Sequence, residues 1–111
     1  MMRTRHDVVI VEGFQAFYDP CLFRLMSLRL WLDIDEPTAL RRRVRKHPRS
    51  NLPHMQTYVH QTVWPHHLAY KDLVLERTTP IDMIDATQSQ AAVHQDALAR
   101  VLSLLSVSSL R

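Results

Sequence analysis

Gly13 is the only glycine in the 111 residues of this chain. Glycine alone reaches the backbone conformations that let main chain approach phosphate oxygens closely, and a phosphate-cradling loop of the form G-x-x-x-x-G-K-[ST] needs two of them. These residues therefore cannot build such a loop. They must fold mainly through helices and strands joined by proline, serine and asparagine turns.

One domain is the limit set by the length, since a chain this short already loses much of its buried fraction to surface. Hydrophobic residues make up 46% and charged residues 23%, so neither a disordered nor a fibrous chain is indicated. Cys21 is the single cysteine and has no internal partner; it sits beside Leu22 and Phe23 in what reads as an apolar helical face. A reducing, cytoplasmic setting is the expectation. The apolar run after the basic N-terminus covers only Val8 to Val11, too short for a signal peptide, and no stretch approaches the ~20 apolar residues of a membrane span. The formal charge is +3, and six of the fourteen lysines and arginines fall between Arg41 and Arg49. That clustering points to a local anion site rather than to a generally basic surface.

Along the chain, Asp7 to Glu12 encloses a β-branched run between two acids, the pattern of a parallel strand buried on both faces. Asp19-Pro20 caps a short helix that should turn Leu22, Phe23, Leu25 and Met26 inward. Leu28 to Ile34 alternates as a second strand. Asp35-Glu36-Pro37-Thr38 starts a helix that ends in the cationic run Arg41 to Lys46, and His47 to Pro53 reads as a loop. From Gln56 or Thr57 to about Glu76 the pattern is mainly helical, with Pro65 starting or kinking its second part. Pro80 to Asp85 is a third short strand. The last helix places Val93, Ala97, Leu98, Val101, Leu102 and Leu105 on one face, with fraying expected from Ser106. This alternation predicts an α/β fold with a parallel sheet.

Four segments, in order, resemble the C-terminal half of the uridine kinase and nicotinamide riboside kinase group of P-loop kinases. They are Val8-Val9-Ile10-Val11-Glu12-Gly13-Phe14, Leu30 to Asp35, Leu40-Arg41-Arg42-Arg43, and Tyr58 followed by Val63-Trp64-Pro65-His66-His67-Leu68-Ala69-Tyr70. The last is specifically similar to the nicotinamide riboside kinase branch, and the resemblance runs from about Asp7 to Leu105. It implies a single partial kinase domain over 1–111 with a lid at about 41–57. The implied architecture is a three-layer, P-loop kinase-like parallel sheet, incomplete, with about three strands and flanking helices. The implied activity is ATP-dependent phosphorylation of a riboside 5′-hydroxyl, with ATP and Mg2+ as cofactors.

By position, the resemblance makes Glu12 the acidic residue near the metal and the reacting phosphate, where a carboxylate can hold a magnesium-bound water or orient the attacking hydroxyl. Arg42 falls where the family contacts ATP phosphates and Arg43 where it contacts substrate; lid arginines acting as fingers contribute ~10³ to 10⁵ in rate. Lys46 or Arg45 takes the place of a further lid arginine. Asp85-Ala86-Thr87 corresponds to the loop that approaches adenine, with Ala86 where the family has glycine and Thr87 beside it.

The phosphate loop, its lysine, the magnesium-binding hydroxyl and the early catalytic aspartate all precede the region of resemblance. The chain is therefore expected to be inactive or incomplete by itself and to be a fragment of a longer product. The alternative is a non-catalytic, kinase-derived protein that binds a partner chain through exposed strand edges. No RNA or DNA module accompanies the basic cluster, which argues against a nucleic-acid partner. Of the seven histidines, His60, His66 and His67 lack the usual zinc-ligand spacing, and Trp64 reads as a packing residue.

Overall fold

A computed structural model describes residues 7–77 and 80–109. Four of its helices start on side-chain caps. Asp19 accepts from the Cys21 amide at 2.9 Å and opens α1 (Pro20–Leu25); Asp35 accepts from the Thr38 amide at 2.7 Å and opens α2 (Glu36–Lys46). Asn51 accepts from the His54 amide at 3.1 Å and opens α3 (Leu52–Tyr58), so the loop after α2 ends slightly earlier than the prolines imply. Ser89 Oγ accepts from the Ala92 amide at 3.2 Å at the head of α5 (Gln90–Ser109). Each cap satisfies an amide that the first helical turn leaves open, and each is typically worth about 1 kcal/mol.

Between α3 and α4 (Trp64–Arg77) the helix widens into a single π-turn over Val59–Val63. Pro65 is the physical reason. It has no amide to offer the preceding turn, and the Trp64 amide reaches back to the Val59 carbonyl instead, so the helix continues with one wide turn and no break.

Two parallel strands form the sheet, β1 (Leu30–Asp33) and β2 (Asp82–Asp85), in the register Leu30 to Asp82, Trp31 to Met83, Leu32 to Ile84 and Asp33 to Asp85. The Asp82 amide bonds the Arg29 carbonyl at 2.8 Å and the Ala86 amide bonds the Asp33 carbonyl at 2.7 Å, which close the ladder at both ends. Trp31 faces α4, where its ring lies 6.0 Å from that of His67 and 6.2 Å from that of Tyr70. The opposite face belongs to α5: Arg100 pairs with Asp82 at 3.2 Å, and Ile84, two residues on, is 0% exposed. Lys71 of α4 pairs with Asp33 at 2.6 Å and ties that helix to the end of β1. The buried apolar residues are Trp31, Met55, Val59, Val74, Ile84 and Ala86.

A three-layer, P-loop kinase-like sheet of about three strands is not what forms. The fold is mixed α/β and mostly helical, with two short strands in one sheet. The expected opening strand Asp7 to Glu12 takes no regular structure and makes no backbone hydrogen bond among the described residues. A β-branched run becomes a strand only when a neighbouring backbone accepts its ladder, and β1 pairs with β2 alone. Gly13 follows at φ 145°, a conformation closed to other residues, and turns the chain sharply.

Three smaller expectations also change. Cys21 is exposed, and Leu25 stands out to solvent because α1 is only six residues long and buries one side incompletely. Leu98 and Leu102 are exposed, since nothing covers that flank of α5 among the described residues. The last helix runs on through Ser109. The extents of 63 × 29 × 18 Å and radius of gyration of 17.3 Å exceed the roughly 13 Å of a compact chain this size, so much apolar surface stays uncovered. No helix among the described residues is long and apolar enough to cross a membrane.

Candidate functional site

An open cleft lies at the C-terminal end of β1, where open parallel sheets usually take their ligands. It holds about 470 Å³ and has two unlike walls. One is cationic, from Arg42, Arg43 and Lys46 of α2; the other is apolar and aromatic, from Val59 and Val63 of the π-turn and Trp64 and His67 of α4. The cationic wall exists because α2 starts at an acidic cap, which fixes its phase, and then presents arginines and lysine at successive turns. The Asp35 carboxyl is held below the ordinary carboxylate range by its hydrogen bonds from Thr38.

Arg42 does more than line the cleft. Its guanidinium donates to the Gln88 carbonyl at 3.1 Å, joining α2 to the loop after β2 across 46 positions of sequence. Within that loop the Thr87 hydroxyl and amide both donate to the Asp85 carboxylate, at 2.5 and 2.9 Å, which holds its pKa below the usual range. Arg43 lies with its guanidinium 5.4 Å from the centre of the Tyr58 ring, a cation–π contact that orients it. A smaller hollow of about 300 Å³, lined by Lys46, His47, Pro48, Arg49 and Ser50, extends the positive surface past the end of α2.

Of the residues singled out from sequence, Arg42, Arg43 and Lys46 are brought together in the cleft, and Arg45 is not among its lining residues. Thr87 is exposed next to the Arg42 bond. Ala86 is buried and its amide is committed to the Asp33 carbonyl, so its backbone donor is already used. Glu12 is exposed, makes no hydrogen bond or ion pair among the described residues, and does not line the cleft. Among the described residues no group of three or more His, Cys, Asp and Glu is placed to hold a metal ion.

The histidines have separate roles. His60 pairs with Glu36 at 2.8 Å, fastening the π-turn to the start of α2, and His66 Nδ1 lies 2.6 Å from the Thr62 carbonyl. His67 packs between two tryptophans, 4.8 Å from the Trp64 ring and 6.0 Å from Trp31. His67 Nε2, Trp31 Nε1 and Tyr70 Oη are buried without a hydrogen-bond partner among the described residues. Sequence reasoning passed over Trp64 and His67 as lining residues, because their spacing marks a helix but not which side of it borders a cleft. The Gln88 carbonyl carries no sequence signal at all.

Burial first, and then the Lys71 ammonium, push His67 below its ordinary pKa, with Asp33 opposing. The proton therefore binds more readily to the unfolded chain. The His67 contribution is full above the unfolded value of about 6.5 and is lost as pH falls below it. We expect the urea midpoint to drop between pH 7.5 and 5.5, and His67→Phe to flatten that dependence; an equal slope in the variant would exclude His67 as its source.

Comparison of the chain with protein-family models, with curated proteins and with solved structures finds no match.

Proposed function

We propose that this chain carries the lid and base-side elements of an ATP-dependent kinase acting on a riboside 5′-hydroxyl, most similar to nicotinamide riboside kinase. The observation that supports this is the meeting of Arg42 and Arg43 with Lys46 on one wall of a cleft whose Arg42 also bonds the loop of Asp85 to Gln88. In this reading Arg42 and Lys46 hold nucleotide phosphates, Arg43 faces the substrate, and Trp64 with the valines offers the apolar wall for a ring. Guanidinium and ammonium groups suit phosphate oxygens through charge-assisted hydrogen bonds. Magnesium would arrive with the nucleotide, and the phosphate loop must come from residues outside this sequence, because one glycine cannot build it.

Calorimetric titration of the chain with ATP and magnesium tests the reading. Weak binding, displaced by tripolyphosphate, is expected, with phosphoryl transfer to a riboside only when a phosphate-loop polypeptide is added. No heat up to roughly millimolar ATP, a range that would still register a contact of about 4 kcal/mol, would remove it. A second reading, a non-catalytic kinase-derived protein that binds a partner chain, is favoured by the unpaired edges of the two-stranded sheet.

A further inference from the structure

We infer that the partner is a second copy of this chain, and that two copies associate by exchanging the segment Val8–Val11, each adding it to the open edge of β1 in the other. This deepens the partner-binding reading and does not depend on ATP.

Both halves of the contact are present and unused. Val9 and Ile10 are 84% and 80% exposed, Val8 and Val11 are exposed beside them, and their backbone groups are unpaired among the described residues. Among the described residues β1 has its ladder with β2 on one edge only. Leu32 shares a face with Ile84, yet Leu32 is 53% exposed while Ile84 is sealed, so on that face α5 covers β2 and leaves Leu32 of β1 exposed. A two-stranded sheet is marginal in water, and a third strand is the usual remedy.

Charge and length select β1 over β2. β2 carries Asp82 and Asp85 at its ends, so a matching parallel register there would set Val8 against Asp82 and Val11 against Asp85, an acid at both ends of the apolar segment. Beside β1 a parallel alignment sets Asp7 by Arg29, Val8 by Leu30, Val9 by Trp31, Ile10 by Leu32 and Val11 by Asp33. Asp7 then lies beside Arg29, whose guanidinium also bonds the Phe23 and Pro80 carbonyls, and Val11 lies beside Asp33, an acid that Lys71 already pairs. Four apolar residues match a strand of four, and Ile10 lands where Leu32 is bare. Because the exchange is mutual, every contact is made twice, which moves a short strand addition toward the ~1,200 Å² at which specific interfaces begin.

Light scattering and sedimentation of the full chain over a concentration series test this. The unaltered chain should be a dimer at roughly 100 µM, a concentration that saturates a micromolar contact. Ile10→Asp disables the donor and Leu32→Lys the acceptor edge; both positions are exposed in the monomer, so each variant should keep the helical circular dichroism and sediment as a monomer. An equimolar mixture of the two restores one exchange of the two, so it should form a heterodimer only at concentrations well above those at which the unaltered chain dimerises. A chain that is monomeric throughout, a dimer indifferent to Ile10→Asp, or a mixture that dimerises as tightly as the unaltered chain would each overturn the inference.

Discussion

Replacing Trp31 by alanine is expected to leave the chain largely unfolded at 25 °C or to lower its urea midpoint by about half. Trp31 is the side chain through which the sheet meets α4: it is buried, touches both His67 and Tyr70, and stands on one of only two strands in the sheet. Truncating a buried aromatic of this size costs about 3–5 kcal/mol, and a small domain commonly has only about 5–15 kcal/mol in total. The other buried apolar residues are too few and too scattered along an elongated molecule to compensate. Trp31→Phe should cost much less, since it keeps most of the ring and removes an indole N–H that lacks a partner among the described residues. Trp64 remains in both variants as a fluorescent probe. A midpoint for Trp31→Ala within a tenth of the original would show that α4 is held to the sheet by something else.

The double substitution Arg42→Ala, Lys46→Ala is expected to weaken binding of ATP with magnesium by roughly 100-fold or more, from the loss of two charge-assisted contacts worth about 1.5–3 kcal/mol each. Arg45→Ala supplies the control. It removes the same charge from the same helix, but Arg45 is not among the residues lining the cleft, so a change of only about two- to three-fold is expected from long-range attraction. Equal losses from Arg45→Ala and Arg42→Ala would mean that the helix acts as a diffuse positive surface, and the kinase reading would lose its geometric support. Arg42→Ala also frees the Gln88 carbonyl, so its effect should exceed that of Lys46→Ala if the loop after β2 contributes to the site.

The elements that could be read from residues are those whose physics is local. Asp35-Glu36-Pro37-Thr38 starts a helix wherever it occurs, because the cap, the acids and the proline all act within one turn. Ser89 before α5 and Pro65 at the junction of the π-turn and α4 are of the same kind. Asp7 to Glu12 shows the opposite case. Its pattern describes a strand, but a strand is a relation between two backbones, and the partner that would make it one is missing among the described residues. Leu98 and Leu102 failed for a related reason: helical spacing defines a face, not what lies against it.

For the candidate site, the charge run disclosed a cationic stretch from Arg41 to Arg49, and the resemblance singled out Arg42, Arg43, Lys46 or Arg45, Glu12, Ala86 and Thr87. The fold sets Arg42, Arg43 and Lys46 on one wall of the cleft. By itself the sequence determined that no phosphate loop can form from these residues, that a cationic helix follows an acidic cap, and that helices alternate with short apolar runs, since each rests on composition or on contacts a few positions apart. Which runs pair, that Arg42 reaches Gln88, that Glu12 lies away from the cleft and that β1 keeps a bare edge were decided by tertiary structure. Those outcomes depend on distances between residues tens of positions apart, set by how α4 and α5 pack on two strands.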